Sequence, residues 1–480
     1  MNENEKQPIV LRNNSSGVIL DTVVDEYLTP AGSASLAINM HFDQIGAVTL
    51  RKGITQLGDS MTASNNVLGL YQSLDEGAGT SDRLVAVVTT VLYYLSSGTW
   101  TSKRTGLTTG LKARFTDFLD NLWMVNGTDA TAIWDRASGN SFVTTGSASS
   151  APAGKFIDNF RSRVWIAATS ANPSRLFYSS TPTTGAVSWT TATDYIDISP
   201  GDGQDITAIK KFSRALHVFK QDYMYRVFSI NETEPDPQVF VGTYSQESVV
   251  VAKDGMYWHH SSGIYRMSSA GGSPKEISRP IASIINSITR TAYDNVVGWK
   301  DEDHIYMFVG DVSVYGITIT NCTLRWTIST EVWTIYSEVR PIKAACVYDD
   351  GTTVGSVVGD NNGETFSYNT GKTLDGSPIH YQFETQWRNI TGLRSDIKTI
   401  KQLGVLHENA QGAKFGVRID KQNMNAIKPI KSLEGISTVC NSLDLTGKRF
   451  KFNISGSSDG DPFVFQGIEI LDYQNHGVIE

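Results

Sequence analysis

The sequence predicts an all-β protein: an irregular β-propeller of about seven blades followed by a C-terminal β-sandwich. Three observations predict this fold. An apolar pattern recurs seven times, glycine and aromatic residues are abundant, and the rhythm changes to two-residue alternation toward the C-terminus. A repeat of about 20–50 residues is typical of propellers and solenoids, in which each repeat completes the core of its neighbour.

Each repeat begins with a short apolar run of β type. The seven runs are Leu84–Val87, Leu122–Val125, Val164–Ala167, Leu216–Phe219, Met256–Trp258, Ile305–Phe308 and Thr353–Val357. After a turn, a second run carries an aromatic residue. The second runs hold Tyr93–Tyr94, Ile133–Trp134, Phe177–Tyr178, Tyr225, Tyr265, Trp326 and Phe366–Tyr368. We therefore expect residues 61–370 to form the propeller, with six or eight blades as alternatives because the spacing is uneven.

Residues 1–60 do not fit the repeat and are interpreted as an N-terminal arm with one hairpin. The arm contains Asp25–Pro30, and the hairpin is predicted from Ala37–Asp43 and Gly46–Gly53, since turn residues separate two alternating runs. A propeller avoids exposed strand edges by closing its ring. We expect the arm to close the propeller with a strand or to dock a neighbouring protein.

Residues 371–480 are predicted to form the β-sandwich. Gly371–Pro378 is interpreted as a linker or turn. The predicted strands are Ile379–Thr385, Thr399–Val405, Phe415–Ile419, Arg449–Ile454 and Phe465–Ile470. They alternate with a period of two, as half-buried antiparallel strands do.

Composition and charge exclude several other classes of protein. Helical spacing is clear only in Pro280–Ile288, and the net charge is −8. Lys210–Lys211 and the scattered Lys398, Lys401, Lys428 and Lys431 are interpreted as solvated strand edges rather than a phosphate track. An acidic chain is unsuited to tight DNA binding, because that affinity comes mainly from neutralised phosphates.

Cysteine usage and the N-terminus predict a protein made in a reducing compartment. Cys322, Cys346 and Cys440 have no metal-site spacing, so we expect free buried thiols. Met1–Lys6 is polar and acidic and unlike a signal peptide. We expect no membrane span, because the sequence holds no apolar stretch near the required length of about 18 residues.

The candidates for catalysis are few, and the sequence predicts no catalytic residue, metal site or cofactor. His259–His260 is interpreted as a pair of strand histidines, because adjacent side chains on a strand point to opposite faces. Asp301–His304 is interpreted as a hairpin tip. We find neither a zinc-protease histidine motif nor a nucleophile elbow.

Asp197–Asp205 is the segment most similar to a metal-binding loop. Its three carboxylates among glycines offer the oxygen ligands that calcium prefers. Asp and Gly are also the usual residues of tight turns, and the spacing differs from that of an EF-hand. Calcium binding by this loop stays an alternative.

A propeller glycosidase is a further alternative. Sialidases carry a repeated turn with Ser, Asp, Gly and Trp, and Ser180–Trp189 has the Ser, Gly and Trp once, without the Asp. Glycosidases also need two carboxyl groups held a few ångströms apart. The sequence indicates no such pair.

Several phrases resemble a known group of proteins. Phe160–Ala167, Asn172–Ser179, Ser188–Trp189, Asp197–Ile209 and Leu216–Lys220 form a succession that resembles the propeller region of tail and head-to-tail structural proteins of tailed bacteriophages. The opening residues Phe42–Asp43, Gly46–Ala47 and Arg51–Gly53 are similar to their N-terminal segment. Phe450–Gly456 and Pro462–Ile470 resemble their closing sandwich strands.

Within this group the organisation is most similar to the nozzle proteins of short-tailed phages. The resemblance implies a non-enzymatic virion protein, assembled in the host cytoplasm and located in the tail. It implies a hexamer-like ring below the portal and adaptor, contacts with other tail proteins and fibres, and passage of double-stranded DNA during ejection. Since no inserted tip domain is visible, a tail hub or an adaptor-docked decoration is an alternative. A host-glycan-binding or fibre-docking tail module is another.

Overall fold

Seven antiparallel blades follow one another around a ring within the part of the chain that the structure describes; six are separate sheets of three or four strands, and one belongs to a larger sheet. The structure is a computed structural model. It describes residues 9–12, 17–20, 33–43, 46–62, 64–74, 83–137, 139–232, 237–269, 271–314, 316–352, 354–390, 396–410, 412–419, 428–433 and 437–476. Asp25–Pro30 of the predicted arm and Thr353 of the seventh repeat lie outside these residues.

Five short strands precede the ring along the chain. They are β1 (Ile9–Arg12), β2 (Ala34–Ile38), β3 (Met40–His41), β4 (Val48–Leu50) and β5 (Ile54–Gln56). The predicted hairpin is present: β3 pairs with β4, and Met40 lies opposite Leu50.

The blades follow in sequence order. Blade 1 contains β6 (Val67–Ser73), β7 (Arg83–Val88), β8 (Val91–Ser96) and β9 (Thr99–Arg104); blade 2 contains β10 (Arg114–Phe118), β11 (Asn121–Val125) and β12 (Ala132–Trp134). Blade 3 contains β13 (Gly154–Phe160), β14 (Arg163–Thr169), β15 (Arg175–Tyr178) and β16 (Tyr195–Asp197); blade 4 contains β17 (Ala208–Phe212), β18 (Ala215–Phe219), β19 (Met224–Val227) and β20 (Pro237–Val239). Blade 5 contains β21 (Val250–Ala252), β22 (Gly255–His260), β23 (Gly263–Met267) and β24 (Lys275–Glu276). Blade 6 contains β25 (Val297–Lys300), β26 (His304–Val314), β27 (Ile317–Thr327) and β28 (Val332–Ser337); blade 7 contains β29 (Ala344–Asp349), β30 (Val354–Gly359) and β31 (Thr365–Tyr368).

The repeated apolar pattern corresponds to two strands of every blade. In the described residues, the first run of each repeat lies in the second strand of a blade, and the aromatic run lies in the third. The second strands are buried on both faces between neighbouring blades, which explains why their runs are largely apolar rather than alternating. The predicted propeller of about seven blades is confirmed.

Apolar side chains from adjacent blades form the cores between them. Trp123 of blade 2 packs with Ile157 and Val164 of blade 3, and Tyr225 of blade 4 packs with Trp165 of blade 3 in the next core. The ring closes in the same way, because Val67 and Leu84 of blade 1 share a core with Val357 of blade 7.

The N-terminal segment supplies the fourth strand of blade 7. β5 pairs antiparallel with β31, and Ile54 lies opposite Tyr368. The first and last parts of the propeller sequence are therefore held in one sheet, which leaves no open seam between the ends of the ring.

The C-terminal β-sandwich predicted from the sequence is present. Its strands are β32 (Ile379–Thr385), β33 (Lys398–Glu408), β34 (Lys414–Ile419), β35 (Lys428–Ser432), β36 (Ser437–Cys440), β37 (Leu445–Gly447), β38 (Phe450–Ser458) and β39 (Val464–Asn475). One layer pairs β33, β36, β37 and β39 with β1, β3 and β4, while the other contains β2, β32, β38, β34 and β35. Phe383 and Phe465 pack between the two layers with ring centroids 5.3 Å apart.

One sheet runs from the propeller into the sandwich. β28 of blade 6 pairs in parallel with β2, and β2 pairs antiparallel with β32. Within the described residues this sheet has nine strands, in the order β25-β26-β27-β28-β2-β32-β38-β34-β35. The N-terminal segment thus joins the two halves through backbone hydrogen bonds.

The segment with helical spacing forms a short helical turn. Arg279–Ile281 is a 3-10 turn, and α1 (Ala282–Ile285) continues it. Ile281, Ile284 and Ile285 are buried against blade 6 and the N-terminal segment. No helix in the described part of the chain has the length and hydrophobicity that crossing a membrane requires.

Candidate functional site

The first strand of every blade borders a central channel. The channel has a volume of about 450 Å³ and is lined by β6, β10, β13, β17, β21, β25 and β29 together with the turn before blade 5. A volume of this size is within the range of small-molecule sites, about 300–1,000 Å³. Its lining mixes apolar side chains with five cationic and two acidic ones, which are Arg114, Lys210, Lys211, Lys300, Lys343, Asp158 and Glu247.

A partly buried carboxylate joins blade 2 to blade 5 across the channel. Glu247 precedes blade 5, and its two oxygens accept hydrogen bonds from Arg114 at 2.9 Å and Lys112 at 3.0 Å. Burial alone would raise the pKa of Glu247, but the charges of Arg114 and Lys112 outweigh it and lower that pKa to about 2. Lys112 also donates to the carbonyl of Asp294 at 2.8 Å. The ion group holds non-adjacent blades together.

Three other lysines of the channel have no such partner. Among the described residues, the ammonium groups of Lys210, Lys300 and Lys343 make no hydrogen bond or ion pair. Burial and the charge of Lys210 lower the pKa of Lys300. Burial and the charge of Lys112 lower the pKa of Lys343. The channel therefore carries unneutralised positive charge inside an acidic protein.

A second polar centre lies where the propeller meets the sandwich. Arg51 donates to Glu338 at 2.9 Å, and the hydroxyl of Tyr368 donates to the same carboxylate oxygen at 2.6 Å. The guanidinium of Arg51 also lies 4.1 Å from the ring centroid of Tyr336. Arg51 is 2% exposed and Glu338 is 5% exposed, so the pair is shielded from solvent and sensitive to loss of either partner.

Asp301–His304 belongs to a neighbouring network. As predicted, the segment forms the turn of a hairpin, between β25 and β26. Asp301 accepts hydrogen bonds from the backbone of His304 at 3.0 Å and from Tyr306 at 2.8 Å. His304 contacts Arg325, which donates to Asp43 of the N-terminal segment at 2.6 Å. The network ties blade 6 to that segment.

A cleft of about 760 Å³ separates the two halves beside these networks. Asn39, which has a positive φ of 59°, spans its base. Its side chain donates to the carbonyl of His380 at 2.7 Å and accepts from the backbone of Ser337 at 2.9 Å. The exposed side chains at its edge include the polar His380 and Lys414 and the apolar Val339.

Two cationic side chains of the protein, those of Lys220 and Arg175, bind carboxylates of the Asp197–Asp205 loop. The ammonium of Lys220, which is fully buried, lies 2.7 and 2.8 Å from the two carboxylate oxygens of Asp202 and 3.0 Å from the carbonyl of Ser199. Arg175 binds both oxygens of Asp197, at 2.7 and 3.1 Å. Lys220 therefore occupies the centre of the loop, where a calcium ion would have to bind.

The histidine pair and the sialidase-like stretch singled out in the sequence make contacts within the fold. His259 is buried beside Tyr293, and His260 is hydrogen-bonded to Ser262 at 2.7 Å. Trp189, at the end of the sialidase-like stretch, donates to the carbonyl of Ser147 at 3.1 Å. In the described residues, no group of three or more His, Cys, Asp or Glu side chains is arranged to hold a metal ion.

The three cysteines are free thiols, as the sequence predicts. Cys322 and Cys440 are buried as expected, whereas Cys346 is partly exposed, so the expectation of a buried thiol is wrong at that position. Burial raises the pKa of the Cys322 thiol well above its usual range, and the nearby carboxylates of Glu338 and Asp311 raise it further. Such thiols are poor nucleophiles because the thiolate is the reactive form.

Two interpretations of lysines as solvated edges do not match the structure. Lys210 is partly buried on the inner strand of blade 4 and borders the channel, whereas the adjacent Lys211 is exposed, as expected. Lys398 is fully buried, and its ammonium donates to Asn389 at 2.7 Å. The adjacent Lys210 and Lys211, within one strand segment, were the sequence signal from which a charged channel could have been predicted. Glu247 had no such signal, because its partners lie more than 130 residues away in sequence.

Comparisons with known proteins find remote structural likenesses. No family model and no curated protein sequence matches the chain. The computationally designed Ika8 protein is similar over 65% of this chain and 99% of its own, with 11% identity and a TM-score of 0.40. YCF48 from Cyanidioschyzon merolae covers 66% of this chain and 98% of its own at 8% identity and a TM-score of 0.42. The AfRom2 CNH domain covers 66% and 98% at 13% identity and a TM-score of 0.41.

Proposed function

We propose that this chain is a non-enzymatic structural protein of a bacteriophage tail, a ring-forming nozzle or hub subunit that continues the DNA conduit below the portal and adaptor. The observation that carries the proposal is the union of a closed propeller with a sandwich through one nine-stranded sheet. The buried Arg51–Glu338 pair reinforces the same junction. A subunit that keeps a ring in shape needs such a fixed relation between its halves. The sequence segments that resemble phage tail proteins are the reason for assigning that ring to a phage tail.

The size of the propeller channel supports a particular position for the conduit. A double helix is a wide object, since its major groove alone is about 12 Å across. A channel of about 450 Å³ that is crossed by the Glu247 ion group cannot admit it. DNA would therefore pass along the axis of a ring of copies, outside each propeller.

Charge and strand edges support the same proposal. A conduit must release its cargo, and a net charge of −8 limits attraction to phosphates. A ring also needs two different surfaces that meet between neighbours. β36 lies at one edge of its sheet, with Val439 43% exposed, and β35 lies at the edge of the other layer. The exposed side chain of Val439 makes this part of the sandwich a candidate contact with a neighbouring subunit.

Electron microscopy of intact phage particles, at a resolution that traces this chain, tests the proposal. We expect several copies around the tail axis, next to the adaptor. Absence of the chain from purified particles would overturn the proposal. The purified chain offers a second test, because mass measurement in solution should detect a closed oligomer alone or after addition of the adaptor.

A pair of variants locates the ring contact. Val439→Asp places a charge on the sandwich edge, and Val143→Asp places one at a position of similar exposure on blade 2. We expect the first variant to reduce ring formation at least tenfold and the second to leave it unchanged. Equal assembly of both would exclude the β36 edge as the contact.

The junction cleft favours a second candidate, a host-glycan-binding or fibre-docking tail module. The cleft has the volume of a small-molecule site, and its lining offers the polar side chains of Asn321, His380 and Lys414. Binding of the isolated chain to host cells, lost in Lys414→Ala and His380→Ala, would favour this candidate. A chain that binds no cell surface and assembles into rings would exclude it.

A further inference from the structure

The channel of the propeller has a charge opposite to that of the protein. Five cationic and two acidic side chains line it, whereas the whole chain has a net charge of −8. Clefts lined by one sign of charge concentrate ions of the other sign. The lining is therefore suited to an anion, although the outer surface is not.

The two acidic side chains of the lining are already engaged. Glu247 is bound by Arg114 and Lys112 across the channel. Asp158 accepts hydrogen bonds from the backbone N–H groups of Asn159 at 2.8 Å and Lys211 at 2.7 Å. Neither carboxylate is paired with Lys210, Lys300 or Lys343 in the described residues.

Lys210 and Lys300 form the strongest part of this positive lining. They project from blades 4 and 6, on either side of blade 5, and are both partly buried. The charge of Lys210 is close enough to contribute to the lowered pKa of Lys300. Two like charges held together in a partly desolvated place destabilise the fold unless an opposite charge joins them. Lys211 lines the same channel, and its ammonium donates to the side-chain oxygen of Asn159 at 2.6 Å.

We propose that the propeller channel binds a small multivalent oxyanion of the phosphate class between Lys210 and Lys300. Lysine ammonium groups are compact point charges that bind phosphate oxygens without demanding a planar partner. The channel has room for about fifteen water molecules of about 30 Å³ each, enough for a diphosphate group with its hydration. The Glu247 ion group crosses the channel and limits how long a ligand it admits. This site lies apart from the assembly surfaces proposed above.

Two sources share this chemistry, free inorganic phosphates and the phosphates of a nucleotide. Sodium pyrophosphate and ATP are the probes that distinguish them. Stabilisation by both would mean that the phosphate groups suffice and that the nucleoside remains outside. Stabilisation by pyrophosphate alone would mean that the channel excludes the nucleoside. Both results support the site.

The test measures thermal unfolding and calorimetric binding of the full chain with each probe, against sodium chloride at equal ionic strength. We expect pyrophosphate to raise the melting temperature of the wild-type chain, since a ligand of the folded state stabilises it. The double variant K210Q/K300Q should bind at least tenfold more weakly. Lys275→Gln, an exposed lysine on β24 outside the channel, is the matched control and should bind as the wild type does. No stabilisation beyond that of sodium chloride, or equal binding by the double variant, would overturn the proposal.

A second measurement separates a ligand site from a structural role of the lysines. Without any added anion, Lys300→Gln should melt at the same temperature as the wild type or at a higher one, because the substitution removes a repulsion. A melting temperature several degrees lower than that of the wild type under these conditions would show that Lys300 serves the fold, and would overturn the proposal.

Discussion

The guanidinium of Arg51 lies 2.9 Å from the carboxylate of Glu338, and this buried pair joins the N-terminal segment to the end of blade 6. The two residues are 287 positions apart in sequence. Burial alone would lower the pKa of Arg51, but the negative charge of Glu338 outweighs it and raises the pKa. Arg51 is therefore charged in the fold, and its charge is neutralised by a single carboxylate that Tyr368 also contacts.

Arg51→Met should destabilise the protein by about 3–5 kcal/mol, because it leaves the Glu338 carboxylate buried without its cation. Denaturant unfolding measures this loss. The double variant R51M/E338M should lose less than the two single variants together, since it removes both charges. Arg214→Met, at an exposed position, is the control and should change stability by less than about 0.5 kcal/mol. A similar small effect of Arg51→Met would contradict the prediction.

Trp165→Ala should cost about 3–5 kcal/mol, as truncation of a large core side chain does. Trp165 is 1% exposed on the second strand of blade 3, and its indole N–H donates to the carbonyl of Phe160 at 2.9 Å. Trp123 of blade 2 makes the same contact with Phe118 at 3.2 Å. Val354→Ala, at a side chain 70% exposed on blade 7, is the control. A cost well under 1 kcal/mol for Trp165→Ala would show that the residue does not hold the core between blades.

Gly53→Ala should destabilise the closure of the ring by about 2 kcal/mol or more, since overpacking forces the backbone to shift. A Cβ atom at Gly53 would lie 1.8 Å from the carbonyl oxygen of Thr373. Gly355→Ala is a matched control in the same blade, because a Cβ there meets no atom within 4 Å. Thermal unfolding compares the two variants. Equal melting temperatures would mean that the N-terminal segment is not held in this place.

Calcium chloride should leave the melting temperature of the wild-type chain unchanged, because the ammonium of Lys220 already occupies the Asp197–Asp205 loop. Lys220→Met should lower stability by about 1–3 kcal/mol, since Asp202 loses a charged hydrogen-bond donor. Lys253→Met, which removes an exposed ion pair with Asp303 at 3.4 Å, is the control and should cost less than about 1 kcal/mol. A calcium-dependent rise in melting temperature, reversed by a chelator, would contradict the prediction.

Acidification should destabilise the protein through two buried histidines. Burial, with the charge of Arg226, lowers the pKa of His217 from 6.5 to about 4, and burial, with His260, lowers that of His259 to about 3. The fold holds both rings neutral, so protonation favours the unfolded chain. Above pH 6.5 both rings are neutral in the folded and the unfolded chain, so they do not lower the stability. As the pH falls from 6.5 toward 4, the free energy of unfolding decreases, by up to roughly 3 kcal/mol for His217.

His217→Phe tests the source of this pH dependence, since a phenyl ring keeps the contact with Phe212 and cannot take up a proton. Unfolding free energies measured between pH 7 and 4.5 should fall less steeply in this variant than in the wild type. His380→Gln, at an exposed position, should leave the slope unchanged. An unchanged slope in His217→Phe would assign the loss of stability to other groups.

The strands of the blades could be predicted from the sequence because their signal is local. Runs such as Val164–Ala167 are apolar on both faces, and short turns connect them to aromatic runs such as Phe177–Tyr178. Apart from β5 in blade 7, neighbouring strands of a blade are also neighbours in sequence. The sandwich strands do not pair in sequence order, but they too have a local signal, since Ile379–Phe383 alternates between buried and more exposed positions. Local periodicity is sufficient for such elements.

The sequence by itself determined the propeller, the sandwich and the free thiols, since each depends on residue type and spacing along the chain. Only the tertiary structure decided which charges meet. Glu247 forms an ion pair with Arg114 across the channel. Lys220 pairs with Asp202 in the Asp197–Asp205 loop, and Arg51 pairs with Glu338. The physical reason is that an ion pair leaves no periodic signal in either partner's neighbourhood. The position of such a pair is set when the ring closes, and the first and last strands of the ring are more than 300 residues apart in sequence.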